Sequence, residues 1–314
     1  MDIGINGSGL LANPALGALN ADLASAEDDN FASYWLAQTG GVDALTVFAA
    51  RGATGSDMKL GTAVIPTWTT HPQVLAGQAM TTQAAIDGRL VLGLGLAHEP
   101  SVTGRWKMKW ERPVRQMMDF LDVLQPLISD GIVDHDGHFW SYEGAMPLLD
   151  TPTPKVMIAA LGEQMLKLAG ARTDGTILWC VGPKTIANHI APVINAAADK
   201  AGRDKPSIVC SIPVWVTDEP KPARDFLGQI FRSMPNFLAT DACSISKAYT
   251  DSVSSHSLAP KLKLPNASPR SQYLAPLISQ RCPWLGILTR SSALAKSFAS
   301  PANPALLFRS WSTA

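Results

Sequence analysis

The stretch Arg89-Leu-Val-Leu-Gly-Leu-Gly-Leu-Ala-His98-Glu99-Pro100 decides the fold. A run apolar on both faces reads as a strand buried on both sides, the mark of a parallel sheet. Gly93 and Gly95 sit on alternate positions, so they share one face and leave it open to a close approach. His98 and Glu99 come where the strand ends, and Pro100 stops further pairing. In a parallel α/β barrel, polar residues at the C-terminal end of a strand stand at the mouth of the active site.

Outward from this strand, strand and helix patterns alternate. Before it lie strands at Ile3 to Asn6, Ala32 to Ala37 and Lys59 to Ile65. Helices follow them at Pro14 to Asp29, Asp43 to Ala50 and Pro72 to Ala85. After it, Glu111 to Ile128 reads as an amphipathic crossover helix, with Met117, Leu121 and Leu124 on one side. Asp134 to Trp140 reads as a turn into a short extended piece. Strands at Lys155 to Ala160, Gly175 to Val181 and Ser207 to Val216 complete a set of seven, with helices to Gly170 and Ala201 between them. This alternation predicts a (β/α)8 barrel, with a doubly wound open sheet as the alternative.

Zero net charge and a near-neutral pI give no electrostatic footprint for nucleic acid or an anionic membrane. No apolar run is long enough to span a bilayer, and the N-terminus lacks the pattern of a signal peptide. Cys180, Cys210, Cys243 and Cys282 are far apart and form no CxxC pair, which predicts reduced thiols in a cytoplasmic protein.

The end of the chain breaks the pattern. From Ser252 to Ala314 there is no Asp or Glu, and Gly286 is the one glycine. Trp284 to Leu288 is a candidate eighth strand and Ser291 to Phe298 a weak helix. The segment reads as a divergent folded end, a disordered tail or an out-of-frame translation. The loss of every carboxylate over 63 residues favours the last. The expected division is therefore a barrel over 1–238 and an atypical segment over 239–314.

Two loops carry a stronger chemical signal than any single residue. Ala160-Leu161-Gly162 and Val181-Gly182-Pro183 each lead from a strand into a helix start. Free N–H groups, a partial positive charge and glycines that let backbone approach make a phosphate seat without lysine; ordinary barrel loops are the plain alternative. Glu163 fits that seat only if it points away. His135 and His138 form HxxH, but Asp136 and Gly137 favour a turn, and no metal is expected. His71 reads as structural or as a rim residue, and His189 as a surface or packing residue. His98 is the histidine placed to move a proton. Trp106 to Trp110, with Arg105, Lys107 and Lys109, is aromatic and basic and fits over the mouth. The absence of GxSxG, Walker and GxGxxG motifs disfavours serine hydrolases, P-loop NTPases and classical dinucleotide folds.

Gly61-Thr-Ala-Val-Ile-Pro66 with His71-Pro72, the Arg89 stretch, Pro154-Lys-Val-Met-Ile-Ala-Ala-Leu-Gly162 and Ala169-Gly-Ala-Arg-Thr-Asp-Gly175, in this order and spacing, resemble the luciferase-like monooxygenase superfamily. Within it the chain is most similar to the coenzyme F420-dependent, methylenetetrahydromethanopterin reductase-like branch. The resemblance covers about Met1 to Phe231 and is lost from Thr240 onward. It implies a (β/α)8 barrel holding a deazaflavin across the C-terminal ends of the strands, with FMN as the alternative cofactor. Ala63, Val64 and Ile65 would back the ring, near a non-proline cis peptide placed about Val64–Ile65. Gly95, Leu96, Ala97 and His98 would flank its edge. Ala160, Leu161, Gly162, Val181, Gly182 and Pro183 would hold the phosphate. Gln38 and Trp106 would face a small-molecule substrate, and His98 or Glu99 would handle the proton. Barrels of this kind often dimerise, so a homodimer is expected. Three functions follow: an F420-dependent oxidoreductase acting by hydride transfer, an FMN-dependent monooxygenase, or a cofactor-binding barrel left inactive by its C-terminus. Without an eighth strand the barrel would have open edges and fold poorly, unless Trp284 to Leu288 substitutes.

Overall fold

The computed structural model describes residues 2–12, 14–214 and 305–311. Strands β1 (Ile3–Asn6), β2 (Ser33–Leu36), β3 (Lys59–Thr62), β5 (Leu90–Gly95), β8 (Lys155–Ala159), β9 (Gly175–Trp179) and β10 (Ser207–Val214) are the parallel staves. β4 (Ile65–Pro66) pairs with Leu94 and Gly95 of β5 and carries the β3 stave onward. β11 (Ala305–Trp311) lies between β1 and β10 and runs antiparallel to β1, with Ile5 opposite Leu307. Pairing of β3 with β5 closes the ring. The expected barrel is therefore present.

The helices begin where the sequence supplies caps. Asp43 accepts the N–H of Thr46 at 2.7 Å to start α2 (Ala44–Arg51). His71 Nδ1 accepts the N–H of Gln73 at 3.2 Å ahead of Pro72, which opens α3 (Pro72–Ala85). His71 is thus a cap, the structural role expected of it. α1 spans Leu16–Asp28, behind a 3-10 turn at Gly7–Ala12 that the sequence pattern did not suggest. α4 (Pro113–Ser129) buries Met117, Leu121 and Leu124 as its periodicity requires. α5 spans Glu163–Arg172. α6 (Pro183–Thr185), a π turn at Ile186–Ile190 and α7 (Ala191–Lys200) then follow without a break.

Trp35, Val91, Met157, Ile177 and Val209 fill a buried cluster, with Ala63 and Val64 packed against it. The glycines of the deciding strand serve this packing. A Cβ on Gly93 would strike the Thr62 carbonyl and Ile177, and one on Gly95 would strike Val64. Thr62 Oγ1 donates to the Gly93 carbonyl and accepts the Gly93 N–H, both at 2.8 Å, bridging β3 to β5 where their ladder ends.

At the opposite end of the barrel, Arg89 is buried before β5. Its guanidinium reaches the Ile86, Met58 and Gly52 carbonyls and Glu27 at 2.9 Å. Glu27 also holds Arg51 at 2.6 Å.

Two expectations change. The strand read as Lys59 to Ile65 is interrupted at Ala63–Val64, whose peptide bond is cis, one residue before the expected place. The piece after α4 is a full antiparallel hairpin, β6 (Ile132–Asp136) with β7 (Ser141–Ala145), because Asp136-Gly137-His138 turns the chain back on itself. Trp284 to Leu288, Ser291 to Phe298 and the proposed boundary at 238/239 lie outside the described residues.

Candidate active site

All the parallel strands end on one rim, where the polar and glycine-rich loops gather. Val64 reaches across Gly95, and both Ala63 and Val64 are half-buried. Leu96 and Ala97 are half-buried beside them, with Ala97 at φ 58°, in the left-handed region that non-glycine residues avoid. These residues form a low, apolar wall. Ile65 does not share it: at 1% exposed it belongs to the core, because β4 turns it inward.

Gln38 stands beside that wall. Its N–H reaches the Val64 carbonyl at 3.4 Å, and its Oε1 is buried with no hydrogen-bond partner among the described residues. The rim next to it is tied by a chain of polar contacts the sequence reading missed. Asn6 Nδ2 donates to Ser211 Oγ at 3.2 Å, Asn6 Oδ1 accepts the Ser8 N–H at 2.9 Å, and Ser8 Oγ accepts the Ala37 N–H at 2.8 Å. The available signal was Asn6 itself, a polar residue closing an apolar strand just as His98 does.

The two glycine loops lie on the far side. α5 starts after Gly162 and α6 after Gly182, and neither start has a side-chain cap. A Cβ on either glycine would meet nothing within 4 Å, so both approaches are open. His189, on the π turn after α6, lies 3.2 Å from the Leu161 carbonyl through Nε2 and ties one loop to the other. Glu163 turns outward to Lys167 at 2.6 Å, and that bond holds its carboxyl below the usual range. The objection to an anion beside Glu163 is thereby reduced. Pro183 has no N–H, so it contributes shape alone. Cys180, at φ 54°, precedes the second loop; burial, with Cys210 nearby, pushes its thiol up to about 12, which keeps it protonated. Cys210 Sγ approaches the Val181 carbonyl at 3.4 Å and braces that loop.

His98 and Glu99 are exposed on the rim after β5. The His98 carbonyl accepts the N–H groups of Ser101 and Val102, at 2.8 and 3.1 Å, which fixes the backbone there. Burial of part of its ring lowers the His98 pKa, so the imidazole is neutral at pH 7. A neutral ring can take up a proton, and the lowered pKa makes its protonated form a readier donor.

An aromatic wall rises on the β4 side. Trp68 lies 5.6 Å from Trp110 and 5.9 Å from Phe139 between ring centroids. Trp106 is half-buried nearby in sequence, yet Trp110 makes the contact. The β6–β7 hairpin that brings Phe139 is held by Asp119, fully buried, whose Oδ2 accepts the Phe139 N–H at 2.8 Å. HxxH does not converge: His138 packs on Phe139, while His135 faces Asp119. Asp119, Asp122 and His135 bring ligand atoms within 4.8 Å of one another. Arg115 and Arg172 already pair with those carboxylates, at 2.8 and 2.9 Å, so the cluster is neutralised without a metal. Among the described residues, no helix is long and apolar enough to cross a membrane.

The chain is 28% identical over 185 residues to the 5,10-methylenetetrahydromethanopterin reductase of Archaeoglobus fulgidus, covering 57% of this chain and 54% of that protein. It is 30% identical over 187 residues to the F420-dependent glucose-6-phosphate dehydrogenase of Nocardia farcinica, covering 57% and 55%. The chain thus spans about half the length of these curated relatives. The F420-dependent tetrahydromethanopterin reductase of Methanopyrus kandleri superposes with a TM-score of 0.58 at 19% identity, over 66% of this chain and 64% of that one. The oxygenating constituent of 3,6-diketocamphane monooxygenase from Pseudomonas putida, solved with FMN, gives 0.58 at 15%, over 73% and 72%. At these identities the structural likeness is one of fold. The family model for luciferase-like monooxygenases matches residues 5–297, running past Phe231, where the sequence resemblance was read as ending. The chain belongs to the luciferase-like monooxygenase family.

Proposed function

We propose that the chain is a coenzyme F420-dependent oxidoreductase that transfers a hydride between the deazaflavin and a small organic substrate. The observation that carries this reading is the pair of uncapped helix starts at Gly162 and Gly182, linked through His189 and facing the same rim as the Val64 wall. The relatives named for F420 support it.

The residues present fit such a cofactor. Among the described residues, the backbone N–H groups of Leu161, Gly162, Gly182 and Lys184 have no acceptor and can receive a phosphate, with Ala160 and Val181 buried next to them in the chain. Ala63, Val64, Leu96 and Ala97 offer an apolar face, with Val64 lying over Gly95, which would orient a ring and keep water from one side of it. When bound, the deazaflavin supplies a ring carbon that accepts or returns a hydride. Gln38 offers its amide to a polar group of the substrate. Neutral His98 takes the hydroxyl proton when an alcohol is oxidised and returns it in reduction, with Glu99 beside it on the rim.

A second reading, an FMN-dependent monooxygenase, draws on the same phosphate seat and on the FMN-bound neighbour from Pseudomonas putida. Titration of the purified chain with F420 and FMN in parallel, followed by fluorescence, separates them. Tight binding of F420 alone is the expected result. Preference for FMN moves the assignment to the monooxygenase, and binding of neither overturns both.

A further inference from the structure

The mouth segment between β5 and α4 is unusual in charge and in backbone. Residues 101–112 carry Arg105, Lys107, Lys109 and Arg112 against a single acid, Glu111, in a chain whose net charge is zero. All four cations are exposed, and none has an ion pair among the described residues; the next arginine, Arg115, is paired with Asp119. Lys107 and Arg112 both hold left-handed backbone, at φ 57° and 42°. Side chains held in that region mark segments fixed by their surroundings.

The segment is anchored at the rim. Met108 N–H bonds to the Val102 carbonyl at 3.0 Å, and Trp110 packs on Trp68. Thr67 N–H bonds to the Gly95 carbonyl at 2.9 Å, so Trp68 stands at the level where β5 ends, and Trp110 is brought there with it. Trp106 and Trp110 each remain partly exposed. Cations thus alternate with aromatic rings along one lip of the proposed site. Beneath them, Trp68 Nε1 and Gln116 Nε2 are buried donors with no acceptor among the described residues.

We infer that the substrate is a flat apolar molecule bearing a carboxylate or phosphate. Its body lies against Trp106 and Trp110, and its anionic group is received by Arg105, Lys107, Lys109 and Arg112. This inference deepens the proposed oxidoreductase reading and rests on the same mouth. Exposed charges act weakly one by one, but several around one anion add.

The test uses the full chain and two probes of one ring system, 2-naphthoate and 2-naphthalenemethanol, titrated by calorimetry at low and high salt. 2-Naphthoate is expected to bind about tenfold more tightly than the alcohol at low salt, with the gap closing at high salt. The R105S/K107S/K109S variant is expected to erase the gap while leaving affinity for the alcohol unchanged. Equal binding of the two probes, binding of neither, or a gap that survives in the variant overturns the inference. F420 is titrated into the same two proteins. If the variant weakens F420 and leaves the naphthoate preference intact, the anion belongs to the cofactor, and the substrate assignment is overturned. If F420 binds neither protein while the naphthoate preference holds, the cofactor reading fails and the anion seat stands.

Discussion

Replacing Gly95 by alanine tests the wall of the site directly. The new Cβ would strike Val64, and its next neighbour, Ala159 Cβ, is 3.6 Å away, so the conflict lies with one side chain. Overpacking of this kind costs about 1–3 kcal/mol, against a gain of about 0.5–1 kcal/mol from replacing glycine within a strand. If Val64 is pushed outward into the mouth, it occupies the place proposed for the cofactor ring. G95A is therefore expected to lose about 1 kcal/mol in urea melts and about tenfold in F420 affinity. V64A alone costs about 1 kcal/mol, since the side chain is only half-buried. The double variant G95A/V64A is expected to be more stable than the sum of the singles predicts, by about 1 kcal/mol or more, because truncation removes the clash. Gly93 provides the contrast. A Cβ there would strike the Thr62 carbonyl, and no side-chain truncation relieves a backbone clash. G93A should lose about 3 kcal/mol or more, with no rescue by I177A. Additive behaviour of G95A and V64A, within about 0.5 kcal/mol, would refute the account of the wall.

Glu27→Gln leaves Arg89 buried without its counter-charge and is expected to cost about 3 kcal/mol. Burial pushes the Glu27 carboxyl up, but the bonds from Arg51, Arg89 and Thr54 outweigh it and hold the pKa low. Its stabilisation is therefore present above the unfolded value, about 4.3, and fades as pH falls through the folded one; melts from pH 7 to 3 should show that acid limb in the native chain and a flatter one in E27Q. His98→Asn should lower turnover about a hundredfold and abolish an acid limb in the pH–rate profile that lies below the usual histidine value of about 6.5. An unchanged profile would remove His98 from the mechanism. Gly162→Asp should separate stability from binding. Aspartate is a good cap for α5, and open space surrounds the position, so the melt should hold or rise by about 0.5 kcal/mol. F420 affinity should meanwhile fall tenfold or more, as a carboxylate faces the phosphate.

The seven parallel staves were legible because each announces itself locally; Ala305–Trp311, which lies between β10 and β1, was not, since the sequence pointed to Trp284 to Leu288 as the eighth strand. Leu90–Gly95 is uniformly buried, and Pro72, Asp43 and Gly162 mark helix starts where the chain in fact turns. Sequence pattern failed where the answer depends on contacts distant in the chain. Nothing local separates Ile65, which faces the core, from Val64, which faces the mouth, because the break in β3 resets the alternation between them. The hairpin at Ile132–Ala145 was half seen, since its positions alternate between exposed and covered but its residues do not alternate between polar and apolar, and its fixing point is Asp119 on α4. Trp110 rather than Trp106 meets Trp68 for the same kind of reason: the register of an irregular segment with two left-handed residues has no period to read. The glycines Gly93 and Gly95 were rightly read as sites of close approach, but the approaching groups are Thr62, Ile177 and Val64 of the barrel itself.

The two ends of the barrel spend polar residues in opposite ways. At the N-terminal end, Arg89 makes bonds to three carbonyls and a carboxylate, and Glu27 satisfies two arginines and a threonine. At the C-terminal end, helix starts go uncapped and Ala97, Cys180, Lys107 and Arg112 hold left-handed backbone, while among the described residues Gln38 Oε1 and Trp68 Nε1 lack hydrogen-bond partners and four cations lack ion pairs. The buried unpartnered groups cost free energy in the isolated chain, and the open helix starts and exposed cations are placed to meet a phosphate or an anionic group. Left-handed residues and an unpartnered buried donor also occur at the N-terminal end, at Asn30, Asp87 and Arg51 Nε, so the contrast lies in the open helix starts and the exposed cations. Their common location therefore argues for a ligand-binding mouth independently of any relative, and it makes a specific demand. Ligands that fill the mouth should raise the melting temperature, whereas substitutions at Glu27 or Arg89 should lower it without changing what the mouth binds.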